Sequence, residues 1–210
     1  MDVNIDDLTM RKDCTSWKWI HRVTIGTWNV EGIGRKDKEL PQLLSQKFTK
    51  IAAMTEMKKK SKRKKIINNY IQIYCGIGSN KTAMAGIAVI IHRRLEKKTD
   101  NYNVWNESII QTRIKTEWGY LSVLAVYAPK EGDEEGNELV YSRLQEITNK
   151  VQIPDYLVIL GELNARVGIK KIQSAIGRLY FLNTSTHTPG HTGPVMGKLY
   201  LLQLVLLRRV

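Results

Sequence analysis

The stretch from Asp155 to Gly168, DYLVILGELNARVG, constrains the fold more than any other part of the chain. Its apolar run, Leu157 to Leu160, is bounded by turn residues and is typical of a strand buried on both faces. Gly161 allows the backbone to turn or to be approached closely where the run ends. If the strand continues, Glu162 and Asn164 share one face, because side chains alternate with period two. The stretch therefore predicts either a ligand site at a strand end, as in open α/β sheets, or a plain polar turn.

Other β-rich runs alternate with two amphipathic segments. The predicted strands cover residues 22–29, 51–55, 70–75, 85–91, 108–116 and 120–127, the last two joined by a hairpin turn. The predicted helices cover residues 38–47, capped by Asp37, and residues 138–150. Residues 1–21 show no clear period and are predicted to be a mobile leader. Because strands outnumber helices and alternate with them, the expected class is α/β or α+β, built on layered sheets.

The chain is strongly basic, with 33 Lys and Arg against 20 Asp and Glu and a net charge of +13. Such a charge favours phosphate-rich partners or anionic membrane surfaces, although generally basic proteins without such a partner are common. Residues 58–65 concentrate the charge in seven cations: Lys58, Lys59, Lys60, Lys62, Arg63, Lys64 and Lys65. Because cations this dense do not pack inside a core, we predict a solvated loop or arm there. Nucleic-acid contact is the preferred role, with a nuclear import signal or a plain solvated loop as alternatives.

The remaining composition predicts an intracellular protein, nuclear or cytoplasmic. Its two cysteines, Cys14 and Cys75, do not make a disulfide framework, which favours a reducing compartment. The acidic and polar start shows no secretory signal. The longest apolar run, Leu199 to Leu207, is far short of the ~20 residues that span a bilayer, so no membrane association is expected. No nucleotide cofactor is expected either.

Polar residues end four of the runs in a specific order. These ends are Trp28-Asn29-Val30-Glu31, Thr55-Glu56, Tyr127-Ala128-Pro129 and Gly161-Glu162-Leu163-Asn164. With the phrases TWNVEG, AGIAVIIH, GYLSVLAVYAP and GELNARVG, the set resembles the endonuclease/exonuclease/phosphatase superfamily, the DNase I-like fold, over residues 22–177. Within it, the chain looks most like the apurinic-type endonuclease domain of non-LTR (LINE-like) retrotransposons. The resemblance implies a four-layer fold, two packed β-sheets flanked by helices, with a divalent-metal site at the strand ends.

The resemblance also implies roles around that metal, Mg²⁺ or Mn²⁺. Glu56 would be its main ligand, and Glu31 would reach it directly or through water. Asn29 would support the metal or the phosphate, and Tyr127 would contact the scissile phosphate. Phosphodiester hydrolysis requires an activated water and neutralisation of the charge on the phosphate oxygens, and a bound divalent ion supplies the second. Because Mg²⁺ usually takes only one or two carboxylates and keeps several waters, few protein ligands are needed.

The last matched segment departs from the family pattern. Glu162 stands where the family has the Asp that activates the attacking water, with Asn164 aiding the transition state. The extra methylene moves the carboxylate by ~1.5 Å, and a misplacement near 1 Å can cost about a hundredfold in rate. The family also closes with an Asp that orients a His. Beyond Gly177 this chain has no Asp or Glu, and His187 and His191 are predicted to be loop histidines.

Residues 178–210 are therefore predicted to be a tail outside the family domain, leaving the second sheet incomplete and a sheet edge open. The expected function is that of a C-terminally truncated, retrotransposon-derived DNA endonuclease with weak activity. The alternatives are a non-catalytic remnant that binds nucleic acid without sequence specificity, a phosphoesterase on RNA or another phosphoester, and a fragment without function.

Overall fold

A computed structural model describes residues 17–76, 86–116, 119–129, 132–152, 155–163, 179–183 and 199–209. The strands are β1 Trp17–Asn29, β2 Thr49–Thr55, β3 Lys62–Ile67, β4 Tyr70–Cys75, β5 Ile87–His92, β6 Thr99–Val104, β7 Ile109–Thr116, β8 Gly119–Tyr127, β9 Tyr156–Glu162, β10 Leu179–Asn183 and β11 Leu199–Arg209. The α-helices are α1 Leu40–Gln46 and α2 Glu134–Asn149, and two 3₁₀ helices cover Gly34–Lys38 and Arg93–Lys98.

The strands form two mixed sheets that pack face to face. The first has the order β11-β1-β2-β5-β4-β3 and the second the order β10-β9-β8-β7-β6. Between them lies a core of Ile, Val, Leu and Ala side chains, such as Ile25, Val89 and Val158, all fully buried. On the outer face of the first sheet, Leu40 and Leu44 of α1 are buried, and α2 packs on the outer face of the second. This arrangement confirms the predicted α/β class of two sheets flanked by helices.

Parallel pairing brings the carboxyl ends of four strands to one end of the sandwich. In the first sheet β1 runs parallel to β2, so that Asn29 pairs with Thr55. In the second sheet β8 runs parallel to β9, so that Tyr127 pairs with Glu162. The four polar strand ends of the sequence are therefore two neighbouring pairs, one in each sheet.

The two ends of the described chain differ from the predictions. Strand β1 begins at Trp17, inside the predicted leader of residues 1–21, and residues 1–16 lie outside the described part. The predicted tail supplies two strands: β11 pairs antiparallel with β1, and β10 pairs parallel with β9. The expectation of an open sheet edge is therefore wrong beside β1 and β9. Strand pairing uses backbone groups, which an apolar β-rich segment provides whether or not it matches a family motif.

The basic run and the first helix also differ from the predictions. Residues 62–65 are not a loop or arm, because they belong to β3, which pairs antiparallel with β4. An edge strand accommodates many lysines because their long side chains reach solvent from either face. Helix α1 begins at Leu40, and its N-cap residue Glu39 makes no side-chain capping bond. Asp37, the predicted cap, instead binds Lys59 and Lys65, each at 2.6 Å.

Among the described residues, no helix has the length and apolar character needed to cross a membrane.

Candidate active site

A hydrogen bond between the two sheets defines the candidate site. Asn29, the last residue of β1, donates from Nδ2 to Oε2 of Glu162 at the end of β9, at 2.9 Å. The Thr55 hydroxyl, from the end of β2, lies 3.4 Å from the same carboxylate oxygen. Oδ1 of Asn29 accepts from the backbone N–H of Glu31 at 3.0 Å, which fixes the orientation of the amide. The carboxylate of one sheet is therefore held by donors from the other.

The loops that follow β1 and β2 are bonded to each other. Val30 N–H donates to the Thr55 carbonyl at 3.1 Å, and Gly32 N–H donates to the Glu56 carbonyl at 2.8 Å. Glu31 and Glu56 have φ of 48° and 54°, a left-handed conformation that costs a non-glycine residue roughly 1–2 kcal/mol. Unfavourable backbone conformations of this kind concentrate at functional sites, where the surrounding structure enforces them.

Gly161 sets the position of Glu162 at the end of β9. Its φ is +132°, and a Cβ there would lie 1.9 Å from the carbonyl oxygen of Val126 on β8. The next residue, Glu162, accepts a backbone bond from Ala128 N–H at 2.8 Å. Only glycine permits this approach of the two strands, which confirms the sequence expectation of close contact at Gly161.

Tyr127 lies beside these carboxylates and keeps its proton. The residue is largely buried, and burial raises the pKa of its phenol to about 12, with further contributions from the negative charges of Glu56 and Glu162. A phenol of this pKa is protonated throughout the physiological range and is a hydrogen-bond donor to an anion. Glu162 at the end of β9 pairs with Tyr127 across the second sheet, and Glu56 directly follows Thr55, whose hydroxyl lies 3.4 Å from the Glu162 carboxylate.

The donors available to a metal ion at this point are oxygens. Glu56 and Glu162 offer carboxylate oxygens, whereas Asn29 and Tyr127 offer neutral oxygens. Such a set of oxygens suits a hard cation such as Mg²⁺ or Mn²⁺. In the described ranges, no three His, Cys, Asp or Glu side chains are grouped so as to hold a metal ion. The residues therefore fit an ion that keeps most of its water and takes one or two carboxylates, with Glu56 the residue that would hold it.

The structure thus brings together Asn29, Tyr127 and Glu162, with Glu56 close enough to act on the phenol of Tyr127. Glu31 is exposed, and its contact with the site is the hydrogen bond from its backbone N–H to Asn29. Asn164, His187 and His191 lie outside the described residues. The sequence analysis placed Thr55 at a polar strand end but gave it no role; in the structure it is fully buried and lies beside Glu162. Its position directly before Glu56 at the end of a buried strand was the available signal.

Comparisons with known proteins found relatives in sequence and structures with a similar fold. No protein-family model matches the chain. The chain is 32% identical over 160 residues to craniofacial development protein 2 of Bos taurus, and 31% identical over 160 residues to the protein of that name from Tragulus javanicus. Each match covers 73% of this chain but 26% and 27% of the relatives, so the chain spans about a quarter of their length.

Two solved structures with a similar fold contain bound DNA. The 3′ phosphatase NExo from Neisseria, bound to a product DNA hairpin, matches with a TM-score of 0.53 and 15% identity, over 75% of this chain and 66% of that one. TDP2 of D. rerio, complexed with a single-strand DNA product, matches with a TM-score of 0.50 and 12% identity, over 76% of this chain and 66% of that one. At such identities the likeness concerns the fold, and the chain has the two-sheet α/β sandwich of the DNase I-like (endonuclease/exonuclease/phosphatase) enzymes.

Proposed function

We propose that the chain is a divalent-metal-dependent DNA endonuclease that hydrolyses phosphodiesters where the four strand ends meet. The observation that carries the proposal is the 2.9 Å bond from Asn29 to Glu162, which joins the polar ends of two sheets at one point. Glu56 and Tyr127 act at that same point. The relation to endonuclease domains of non-LTR retrotransposons is part of this proposal and rests on the sequence motifs.

Glu162 is the group that accepts the proton of the attacking water. A general base must be ionised and held in a fixed direction to be effective. The amide of Asn29 provides that direction, because its own orientation is fixed by the Glu31 backbone. The proton passes from the water to the Glu162 carboxylate as the water oxygen bonds to phosphorus and the bond to the leaving oxygen breaks.

Tyr127 and the metal-binding residues act on the phosphate. The phenol of Tyr127 remains protonated, so it donates a hydrogen bond to a non-bridging phosphate oxygen, where negative charge grows in the transition state. Glu56, assisted by Glu31, would hold the divalent ion, which when bound neutralises charge on the phosphate oxygens. Asn164 is assigned the supporting role in the transition state that its motif position implies.

A non-catalytic nucleic-acid-binding protein is the second candidate, and two observations favour it. The acid at position 162 is one methylene longer than the family pattern, and the sequence after Gly177 contains no acid that could orient a His. The positive charge of the chain would remain available for phosphate contacts, and such binding weakens steeply with added salt.

Nicking of supercoiled plasmid separates the two candidates. The parent chain is incubated with plasmid and Mg²⁺ or Mn²⁺, beside Glu56→Ala and Glu162→Ala, with Glu107→Ala as a matched variant at an exposed glutamate. The endonuclease proposal expects slow, EDTA-sensitive nicking that is lost in the first two variants and kept in the third. If the parent does not nick but retains DNA in a salt-sensitive manner, the catalytic proposal is refuted and the binding function stands.

A further inference from the structure

The basic edge strand β3 is the largest charged feature that the catalytic proposal does not use. Lys62, Arg63 and Lys64 are exposed on it, and it is the outermost strand of the first sheet on this side. In the described part of the chain, no carboxylate pairs with Lys62 or Arg63. Lys64 is 4.0 Å from an exposed Glu96, and exposed ion pairs of this kind are worth little. We call Lys62, Arg63 and Lys64 the basic ridge.

Two neighbouring lysines, Lys59 and Lys65, bind a carboxylate of the protein itself. Lys59 and Lys65 each bind the same oxygen of Asp37 at 2.6 Å, and both are less than one-third exposed. Lys59 also lies over the ring of Tyr74, 5.2 Å from its centroid. These contacts fasten the segment before β3 and the strand itself to the 3₁₀ helix that carries Asp37. They remove Lys59 and Lys65 from the set of available phosphate ligands and fix the ridge in place.

The ridge begins at the same end of the first sheet as the candidate site. Lys62 pairs with Cys75, which pairs with Ile87. Gly86 precedes Ile87, and its carbonyl accepts a hydrogen bond from the N–H of Met57 at 3.0 Å. Met57 is the residue directly after Glu56. Between β2 and β3 lie three interstrand spacings, so the ridge starts roughly 14 Å from the end of β2. That distance corresponds to about four base pairs along the axis of a duplex.

We propose that the basic ridge binds the phosphate backbone of a polynucleotide about four base pairs from the phosphate at the candidate site. Successive side chains of a strand point to opposite faces, so Lys62 and Lys64 lie on one face of β3, about 7 Å apart, and Arg63 lies on the other. Because β3 is an edge strand, these long side chains reach a ligand that runs along the edge, and cations at this spacing match repeating phosphates rather than one small phosphoester. This inference rests on the proposed function for the location of the reacting phosphate. The ridge acts on polymers only, so small phosphodiesters gain nothing from it.

The first test measures binding in EDTA, so that it does not depend on catalysis. The triple variant Lys62→Gln/Arg63→Gln/Lys64→Gln is compared with Arg94→Gln/Lys97→Gln/Lys98→Gln. The second variant removes the same charge from exposed positions at the opposite end of β5. With a fluorescent 20-base-pair DNA duplex, the slope of log affinity against log salt should fall by about two to three in the ridge variant and by less than about one in the control. Equal changes in the two variants would overturn the proposal.

Single-stranded DNA and RNA of the same length, measured in the same way, show whether the ridge distinguishes these backbones from the duplex. A second readout uses the parent's catalysis: the ridge variant should nick plasmid at least tenfold more slowly yet hydrolyse bis(p-nitrophenyl) phosphate at the parent rate. An equal loss of rate on both substrates would show that the variant damages the site itself and would refute the proposal that the ridge binds the polynucleotide. If the parent hydrolyses neither substrate, the proposed catalysis fails, and the binding test still decides the ridge.

Discussion

The bond between Asn29 and Glu162 makes a prediction that is independent of catalysis. We expect Asn29→Ala and Glu162→Ala to be coupled in a double-mutant cycle for the free energy of unfolding. A hydrogen bond to an ionised group contributes about 1.5–3 kcal/mol. The pair is only partly buried, and Thr55 still reaches Oε2 at 3.4 Å when the amide is removed. The expected coupling is therefore at or just below the lower end of that range, about 1–1.5 kcal/mol.

Urea unfolding followed by tryptophan fluorescence at pH 7 measures the four corners of this cycle. The control cycle combines Asn29→Ala with Glu107→Ala, an exposed glutamate that is not bonded to Asn29. Independent sites add to within about 0.5 kcal/mol, which is the expected control value. If the coupling between Asn29 and Glu162 were no larger than this control value, the argument that the two sheets are joined at this point would be refuted.

Three further predictions concern single groups. The Tyr127 phenol should titrate near pH 12, and Glu56→Gln should lower its pKa by removing a nearby negative charge, as followed by ¹³C NMR of labelled tyrosine rings. Burial raises the pKa of Asp37, but its hydrogen bonds to Lys59 and Lys65 and their positive charges outweigh this effect and hold the pKa below its usual value. Asp37→Asn should therefore lower the free energy of unfolding at pH 7. The parent loses this contribution as the pH falls below about 4, the pKa of the carboxyl in the unfolded state, so the difference between variant and parent should shrink there. Urea unfolding at several pH values measures this difference. Gly161→Ala should destabilise by more than about 2 kcal/mol through its clash, whereas Gly132→Ala, with positive φ but open space, should cost only about 1 kcal/mol; equal thermal shifts would contradict this difference.

The sequence was informative where local pattern and backbone geometry coincide. Leu157 to Leu160 lie in a buried strand as their apolar run predicts, and Gly161 is the close contact that its position indicated. The pairing of Asn29 with Glu162 depends on two sheets meeting face to face. Only the order of the strand ends, together with the family resemblance, indicated that these residues converge.

Other elements could not be predicted because distant partners decide them. Asp37 follows the sequence rule for a helix cap, but two lysines more than 20 residues away bind it instead. Residues 62–65 look like a solvated arm, yet their backbone pairs with β4. The side chains of Lys62, Arg63 and Lys64 are exposed, whereas Lys65 binds Asp37. Thr55 belongs to the Thr55-Glu56 strand end, but its proximity to Glu162 arises across 107 residues of sequence, so no local pattern predicts the contact.

The pairing of β1 with β11 has a consequence for the order in which the chain is made. Trp28 of β1 pairs with Leu199 of β11, and ribosomes add about 5–20 residues each second. Roughly 10 to 30 seconds therefore pass between the synthesis of β1 and that of its outer neighbour, while β2 to β5 can already pair. During that interval the outer backbone edge of the strand that carries Asn29 is without its native partner, which makes the nascent chain a natural client for chaperones that shield strand edges.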